Sequence, residues 1–91
     1  MNVQVEHMVS RNGNVVANQF KVFTKDAVFF QSYSSVIAKK RLKDGQVYLD
    51  KQYWDYSRTT GVYRSLFLGE GIAETRQKVE AGEYKLVNLN K

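Results

Sequence analysis

The feature that most constrains this chain is a change of hydrophobic period partway along it. Up to residue 50, β-branched and aromatic residues come in short runs separated by turn residues, which is typical of strands. Farther on, Val62, Tyr63, Leu66 and Phe67 recur at the spacing of a helix. A series of strands followed by helices predicts an α+β fold rather than an α/β fold, in which strands and helices alternate.

Turn residues divide the first part of the chain. Asn12-Gly13 lies between valine-rich flanks and predicts a hairpin, because both residues tolerate a positive φ. Lys43-Asp44-Gly45 predicts a second hairpin, and Ser34-Ser35 predicts a bulge or bend. Residues 27–33 carry β-branched and aromatic side chains on both faces, so we expect a central strand covered on both sides. The predicted strands are residues 3–9, 15–23, 27–33, 36–42, 46–50 and 84–88.

Two short helices are predicted before the final strand. Asp55 or Ser57 is expected to cap the first by accepting from free backbone N–H groups, and Gly69 to end it. The second is expected at residues 72–81, where Glu74 precedes Lys78 by one turn. We expect both helices on one face of a mainly antiparallel sheet of about five to six strands. The 91 residues are predicted to form a single domain, 1–91.

The composition excludes several classes of site. The chain has no cysteine, so it has neither disulfides nor thiolate metal sites. Its start has no signal-peptide pattern, and no apolar run is long enough to span a membrane. These observations predict a soluble cytoplasmic protein that does not engage a membrane.

We predict no catalytic site, no metal site and no cofactor. The single histidine, His7, follows Glu6 on a predicted strand, where neighbours point to opposite faces and cannot form an acid–base pair. His7, Asp50 and Asp55 show no metal-ligand spacing. A turn role for Asp50 and a helix-cap role for Asp55 are better explanations than a nuclease-like pair of carboxylates.

The formal net charge of +5 is unevenly distributed. Residues 39–64 hold seven basic and three acidic side chains, whereas acidic residues dominate residues 70–83. A basic surface favours polyanions such as DNA or RNA, or an acidic protein surface. The alternative interpretation is a solvated face that keeps the protein in solution.

Cations and aromatic residues cluster in the same part of the chain. Lysines and arginines there are candidates for phosphate contacts, and aromatic rings for base stacking. The alternatives are a charged strand that blocks pairing between sheets and aromatic residues that fill the core. We favour a core position for Trp54 and an exposed one for Tyr48. The predicted binding residues are Lys39, Lys40, Arg41, Lys43, Arg58, Arg64, Tyr48, Tyr53, Trp54 and Tyr56.

Four segments resemble a small uncharacterised domain family of bacteriophages and bacterial mobile elements. The segments are NQF at 18–20, FQSYSSVIA at 30–38, VYLD at 47–50 and YWDYSRTT at 53–60. The resemblance covers about residues 18–68. That family has no assigned activity, so it implies no functional residue. It implies a phage accessory protein that acts in the host bacterial cytoplasm.

The leading functional hypothesis is a non-enzymatic phage accessory protein that binds nucleic acid, or a host complex containing nucleic acid, through a basic and aromatic face. It requires the cations of the fourth strand and the first helix to converge on one surface. The alternative is a protein-interaction module, centred on residues 53–56, that inhibits a host factor such as a defence system, as anti-CRISPR proteins do. A third hypothesis is a homodimer that pairs edge strands through residues 3–9.

Overall fold

The computed structural model describes residues 3–90 and shows an α+β fold, as predicted. One sheet and two helices follow each other in the expected order. The elements are β1 Gln4–Val9, β2 Val15–Phe23, β3 Ala27–Ser32, β4 Ser35–Arg41, β5 Val47–Asp50, α1 Arg58–Leu68, α2 Ile72–Glu80 and β6 Lys85–Val87.

The six strands form one sheet in the order β1-β2-β3-β4-β5-β6. The first five strands pair as antiparallel neighbours, and β6 pairs in parallel with β5 after the two helices. The predicted hairpins at Gly13 and Gly45 are confirmed, with φ of 83° and 75°. A glycine suits these positions because a Cβ is disfavoured at positive φ.

The turn between β3 and β4 differs from the prediction. We expected a bulge or bend at Ser34-Ser35, but the chain reverses in a tight hairpin in which Ser32 pairs with Ser35. Tyr33 takes a φ of 55°, and its N–H donates to the Asn18 carbonyl at 2.7 Å. A tyrosine gives no sequence signal for a positive φ, so this turn is fixed by a contact with β2.

The hydrophobic core lies between the sheet and the helices. Phe30 of β3 stacks on Phe67 of α1 with ring centroids 5.9 Å apart. The Ser32 and Thr60 hydroxyls form a buried hydrogen bond of 2.9 Å beside them. The helices therefore pack on one face of the sheet, as predicted. The buried core residues are Met8, Phe30, Ile37, Ala38, Val47 and Leu49, with Tyr53, Trp54, Tyr63, Phe67, Leu68, Val79 and Tyr84 packed against them.

The ends of α1 follow local sequence signals, and α2 contains the predicted ion pair. Ser57 caps α1 by accepting from the Thr60 N–H at 3.2 Å, which settles the choice between Ser57 and Asp55. Gly69 ends α1 in the left-handed region. In α2, Lys78 pairs with Glu74 at 3.3 Å, as its spacing predicts.

The buried stripe of α1 is not the predicted one. Tyr63 and Phe67 pack against the core, but Val62 and Leu66 are 50% and 40% exposed. Arg64 points inward and is buried. The helical period was correct, but the apolar pattern did not show which side of the helix meets the sheet.

The sheet has one covered face and one open face. Side chains alternate along β3, so Phe29 points away from the face on which Phe30 meets α1. The prediction that β3 is a central strand is confirmed, but the helices cover only one of its faces. We call the other side of the sheet the open face.

Candidate functional site

A row of directly paired residues crosses the open face. In register, Val22 pairs with Phe29, Phe29 with Lys39, and Lys39 with Tyr48. Directly opposite residues in a sheet share a face and touch. We call these paired residues the open-face row; they are Val5, Val22, Phe29, Lys39, Tyr48 and Lys85.

Cations and rings are interleaved in the row. The Lys39 ammonium lies 5.7 Å from the centroid of the Phe29 ring and 5.5 Å from that of Tyr48. The Arg41 guanidinium, from the same strand, also lies 5.5 Å from the centroid of the Tyr48 ring. Both rings are half-buried, since the cation stems cover part of them. Tyr48 faces away from the core, as predicted, but is less exposed than expected.

The cations on this face differ in their ion pairs. Arg41 donates to both carboxylate oxygens of Asp44, at 2.6 and 3.0 Å. That hydrogen bond raises the pKa of Arg41 and holds the pKa of Asp44 well below its usual value. In the part of the chain that the structure describes, Lys39 and Lys85 form no ion pair. Their charges are therefore available to a ligand.

An aromatic pair extends the open face toward β1. His7 pairs with Phe20 across β1 and β2, with ring centroids 5.0 Å apart. Sequence reasoning missed Phe20, Phe29 and Lys85 as site residues. The alternation of Phe29 with Phe30 was a signal, whereas the position of Lys85 depends on the parallel return of β6.

The predicted binding residues do not form one footprint. Lys39, Arg41 and Tyr48 lie together on the open face. Lys40 pairs with Val28 and Val47, so it belongs to the helix-covered face. The remaining predicted residues lie in the β4–β5 turn, in the segment before α1, or in α1; they are Lys43, Tyr53, Trp54, Tyr56, Arg58 and Arg64.

Arg64 belongs to a buried cluster rather than to a basic surface. Its side chain is 2% exposed, and Nη1 donates to the Trp54 carbonyl at 2.7 Å and to Asp55 Oδ1 at 3.2 Å. Its guanidinium lies 5.6 Å from the Trp54 ring, and Asp55 also accepts from Arg76 at 3.0 Å. We call Trp54, Asp55, Arg64 and Arg76 the tryptophan cluster. It ties α1 and α2 to the segment that precedes them.

The two tyrosines that flank this cluster have different environments. Tyr53 is half-buried and packs against the core, whereas Tyr56 is 48% exposed. Their rings meet edge to face with centroids 5.2 Å apart. Only Tyr56 offers a large surface to a partner.

Asp50 is a structural turn residue, as we expected. It is buried and accepts from the N–H groups of Gln52, Tyr53 and Leu89 at 3.1, 2.9 and 2.7 Å. Burial favours the neutral acid, but the hydrogen bonds, led by that from Leu89, outweigh it and lower the pKa of Asp50. Asp55 is not a helix cap; it bridges two arginines.

A second buried carboxylate links the helices to the last strand. Glu70 accepts from Thr75 at 2.7 Å and from Lys78 and the Tyr84 hydroxyl at 2.8 Å each. Burial opposes its charge, but these bonds, with Lys78 first, lower the pKa of Glu70. Burial and the bond to Glu70 raise the pKa of Tyr84 to about 12.

Two searches of the described residues bear on ligand classes. Within residues 3–90, no group of three or more histidine and acidic side chains is arranged to hold a metal ion. Neither of the two helices seen there has the length and apolar character needed to cross a bilayer.

Comparison with known proteins gives a family but no function. The model of a family described as "Family of unknown function (DUF8033)" matches residues 3–83. That match is wider than the resemblance at residues 18–68 and includes β1, both helices and most of the sheet. No curated protein and no solved structure matches the chain. The chain therefore belongs to DUF8033, a family of unknown function.

Proposed function

We propose that this protein is a non-enzymatic binding protein for single-stranded nucleic acid and that the open-face row is its binding surface. The observation that carries the proposal is the position of Lys39 between the rings of Phe29 and Tyr48 on the sheet face without helices. Unstacked bases can stack on the rings, and the ammonium groups can donate to phosphate oxygens.

The chemistry of the row favours a single strand over a duplex. The row presents the rings of Phe29 and Tyr48 on a broad sheet surface, and rings stack only on bases that are free of a partner strand. Lys39 and Lys85 lie two strands apart, about 10 Å at the spacing of a sheet. Two ammonium groups on either side of Tyr48 suit a backbone that runs across the strands while a base stacks on the tyrosine.

Charge supports a polyanionic partner. None of the six residues of the row is acidic, and the whole chain carries a net charge of +5. Asp44 is the carboxylate nearest in sequence to the cations of β4, and Arg41 neutralises it. A negatively charged ligand therefore meets no negatively charged side chain along the row.

The resemblance at residues 18–68 supports the biological setting. It supports a phage accessory protein that acts in the host bacterial cytoplasm on DNA, RNA or a host complex containing nucleic acid. The net positive charge favours binding of nucleic acid over its mimicry.

Anisotropy titrations with labelled single-stranded DNA and RNA test the proposal at about 50 and about 200 mM salt. We expect Tyr48→Ala to weaken binding by about 5- to 100-fold, the loss of one stacked base. Lys40→Ala is the control, because Lys40 lies on the neighbouring strand β4 but on the other face of the sheet. An affinity that does not change with salt concentration, or an equal loss of affinity in both variants, would contradict the proposal.

A second candidate is a protein-interaction module that inhibits a host factor, such as a defence system. The exposed Tyr56, supported edge-on by Tyr53, favours it. The test is a pull-down from nuclease-treated host lysate. A partner that wild type retains and Tyr56→Ala loses would favour this function over nucleic-acid binding.

A homodimer remains a third proposal. β1 is an edge strand of the sheet, and Val3, Val5 and Val9 are exposed along it. Light scattering tests it: a dimer mass that Val5→Lys converts to a monomer mass supports pairing of β1 edges.

A further inference from the structure

A groove lies beside α1, on the side of the sheet opposite the open face. Its volume is about 680 Å³, within the range of small-molecule sites. The β1–β2 turn contributes Arg11, α1 contributes Arg58, Gly61 and Arg64, and Ile72 begins α2. The β1–β2 turn is far in sequence from residues 55–72, and the two segments converge on one concave surface.

Three arginines give this groove a positive character. Arg11 and Arg58 are exposed, and neither forms an ion pair within residues 3–90. Asp55 and Glu70 also line the groove, but Asp55 is held by Arg64 and Arg76, and Glu70 by Lys78. An anion entering the groove therefore meets two cations without an ion pair within residues 3–90, Arg11 and Arg58, and carboxylates that are already paired.

Arg64 is buried with donors unused. Nη1 makes both of its hydrogen bonds, whereas Nε is enclosed and has no partner among the described residues. Nη2 makes no hydrogen bond to the described part of the chain either. Buried donors without acceptors are rare in proteins because desolvating them costs free energy. Nη2 is not among the enclosed atoms, so it is the donor that a ligand oxygen in the groove would reach, whereas Nε is too enclosed to be reached.

The start of α1 adds to the attraction for an anion. The helix has 11 residues, and its first turn contains no acidic side chain. The Ser57 hydroxyl accepts from the Thr60 N–H. The N–H groups of Arg58 and Thr59 are left for another acceptor. The partial positive charge of a helix N-terminus stabilises phosphate groups.

Gly61 keeps the guanidinium of Arg64 open to the groove. Glycine within a helix costs about 1 kcal/mol relative to alanine. A Cβ at Gly61 would lie 3.6 Å from Arg64 Nη2 and 3.8 Å from Nη1, which is ordinary contact without a clash. Packing therefore does not require glycine, and a methyl group would cover the free edge of the guanidinium.

We propose that this groove binds a phosphate monoester attached to an apolar or aromatic body. Arg11, Arg58 and Arg64 would contact the terminal phosphate oxygens, which are three strong acceptors on a group that carries nearly two charges. Val62 and Leu66, exposed on α1, form the apolar wall for the body of the ligand. The phosphate is that of a free nucleoside monophosphate or of the 5′ end of a strand.

Calorimetric titrations of the full chain test the proposal with a nucleoside monophosphate, the unphosphorylated nucleoside and inorganic phosphate. We expect the monophosphate to bind, inorganic phosphate to bind more weakly, and the nucleoside not to bind. Arg58→Ala and Arg11→Ala should each weaken binding about tenfold or more, the effect of losing a hydrogen bond to a charged group. Lys43→Ala, an exposed cation outside the groove, is the control.

Gly61→Ala separates binding from folding. The variant should be at least as stable as wild type, because alanine favours the helix, and should bind the monophosphate several-fold more weakly. Unchanged affinity in Gly61→Ala or in both arginine variants would overturn the proposal, as would equal binding of the nucleoside.

Two oligonucleotides, with and without a 5′ phosphate, distinguish the source of the phosphate. They are titrated in the Lys39→Ala, Tyr48→Ala background, in which the open-face row is disabled. If the phosphorylated oligonucleotide binds more tightly than the unphosphorylated one, the ligand is the 5′ end of a strand. If both oligonucleotides bind equally weakly while the nucleoside monophosphate binds, the ligand is a free nucleotide. Because the groove and the row lie on opposite sides of the sheet, failure of one proposal leaves the other standing.

Discussion

The open-face row and the tryptophan cluster are built from the same kinds of residue but differ in what surrounds them. In both, a cation lies between 5.5 and 5.7 Å from an aromatic centroid. Arg64 of the cluster is 2% exposed and is bound to Asp55, whereas Lys39 of the row is half-buried and has no carboxylate partner within the described chain. A pairing of cation and ring therefore does not by itself indicate a binding surface.

The difference follows from the position of α1. Arg64 points from α1 toward the core, where little water reaches its side chain, so Nη1 depends on protein acceptors. Lys39 stands on the sheet face that the helices leave free, where water satisfies its ammonium until a ligand replaces that water. Substitutions in the cluster should thus act on stability, and substitutions in the row on binding.

The largest effect is expected for Arg64→Ala. Removing a buried cation leaves the Trp54 carbonyl and Asp55 Oδ1 without this donor and opens a void, while Arg76 still binds Asp55 Oδ2. We expect a loss of about 3–5 kcal/mol in the free energy of unfolding. Urea denaturation measures it. Lys39→Ala, the matched change in the row, should cost less than about 1 kcal/mol. Similar losses in the two variants would remove the distinction between the clusters.

Lowering the pH should reduce stability through carboxylates on the covered side of the molecule. The folded-state pKa values of Asp50 and Glu70 lie below their ordinary values of 3.8 and 4.5. Their stabilisation is therefore complete above these ordinary values and is lost as pH falls through and below them. Denaturation at neutral pH and near pH 3 measures the loss. Asp50→Asn should be less stable at neutral pH and lose less on acidification; an unchanged acid response would contradict this assignment.

A smaller effect is expected for binding through the row. Lys39→Ala should reduce the slope of log affinity against log salt for a single strand by about 0.7, the value for one phosphate contact. Lys40→Ala should leave the slope unchanged, because Lys40 faces the covered side. Titrations over a salt series measure both slopes, and equal slopes in the two variants would place the binding surface elsewhere.

The smallest effect is expected for Asp44→Asn. The change removes the partner of Arg41 and one negative charge beside the row, so we expect single-strand affinity to rise by less than about fivefold. The same titrations measure it. A lower affinity would show that Asp44 instead positions Arg41 for the ligand.

Local signals predicted the elements well. Asn12-Gly13 gave the first hairpin, Ser57 and Gly69 the ends of α1, and the alternation around Tyr48 its outward direction. These features depend on backbone conformations and hydrogen bonds within a few residues, which the sequence encodes directly.

The candidate site was predicted only in part. Lys39, Arg41 and Tyr48 do meet, but Arg64 was expected on the surface and lies in the core. A buried arginine gives no sequence signal, because the carbonyl of Trp54 and the carboxylate of Asp55 that hold it are brought to it by folding. For Trp54, the favoured core position agrees with its packing.

The sequence by itself determined an α+β fold with its hairpins and helix ends, together with an excess of positive charge. Only the tertiary structure decided which face of the sheet the helices cover, that Lys85 lies beside Tyr48, and that Arg64 is buried. The physical reason is the range of the interactions. Element type depends on neighbours along the chain, whereas the exposure of a side chain depends on segments that meet only when the sheet and helices pack.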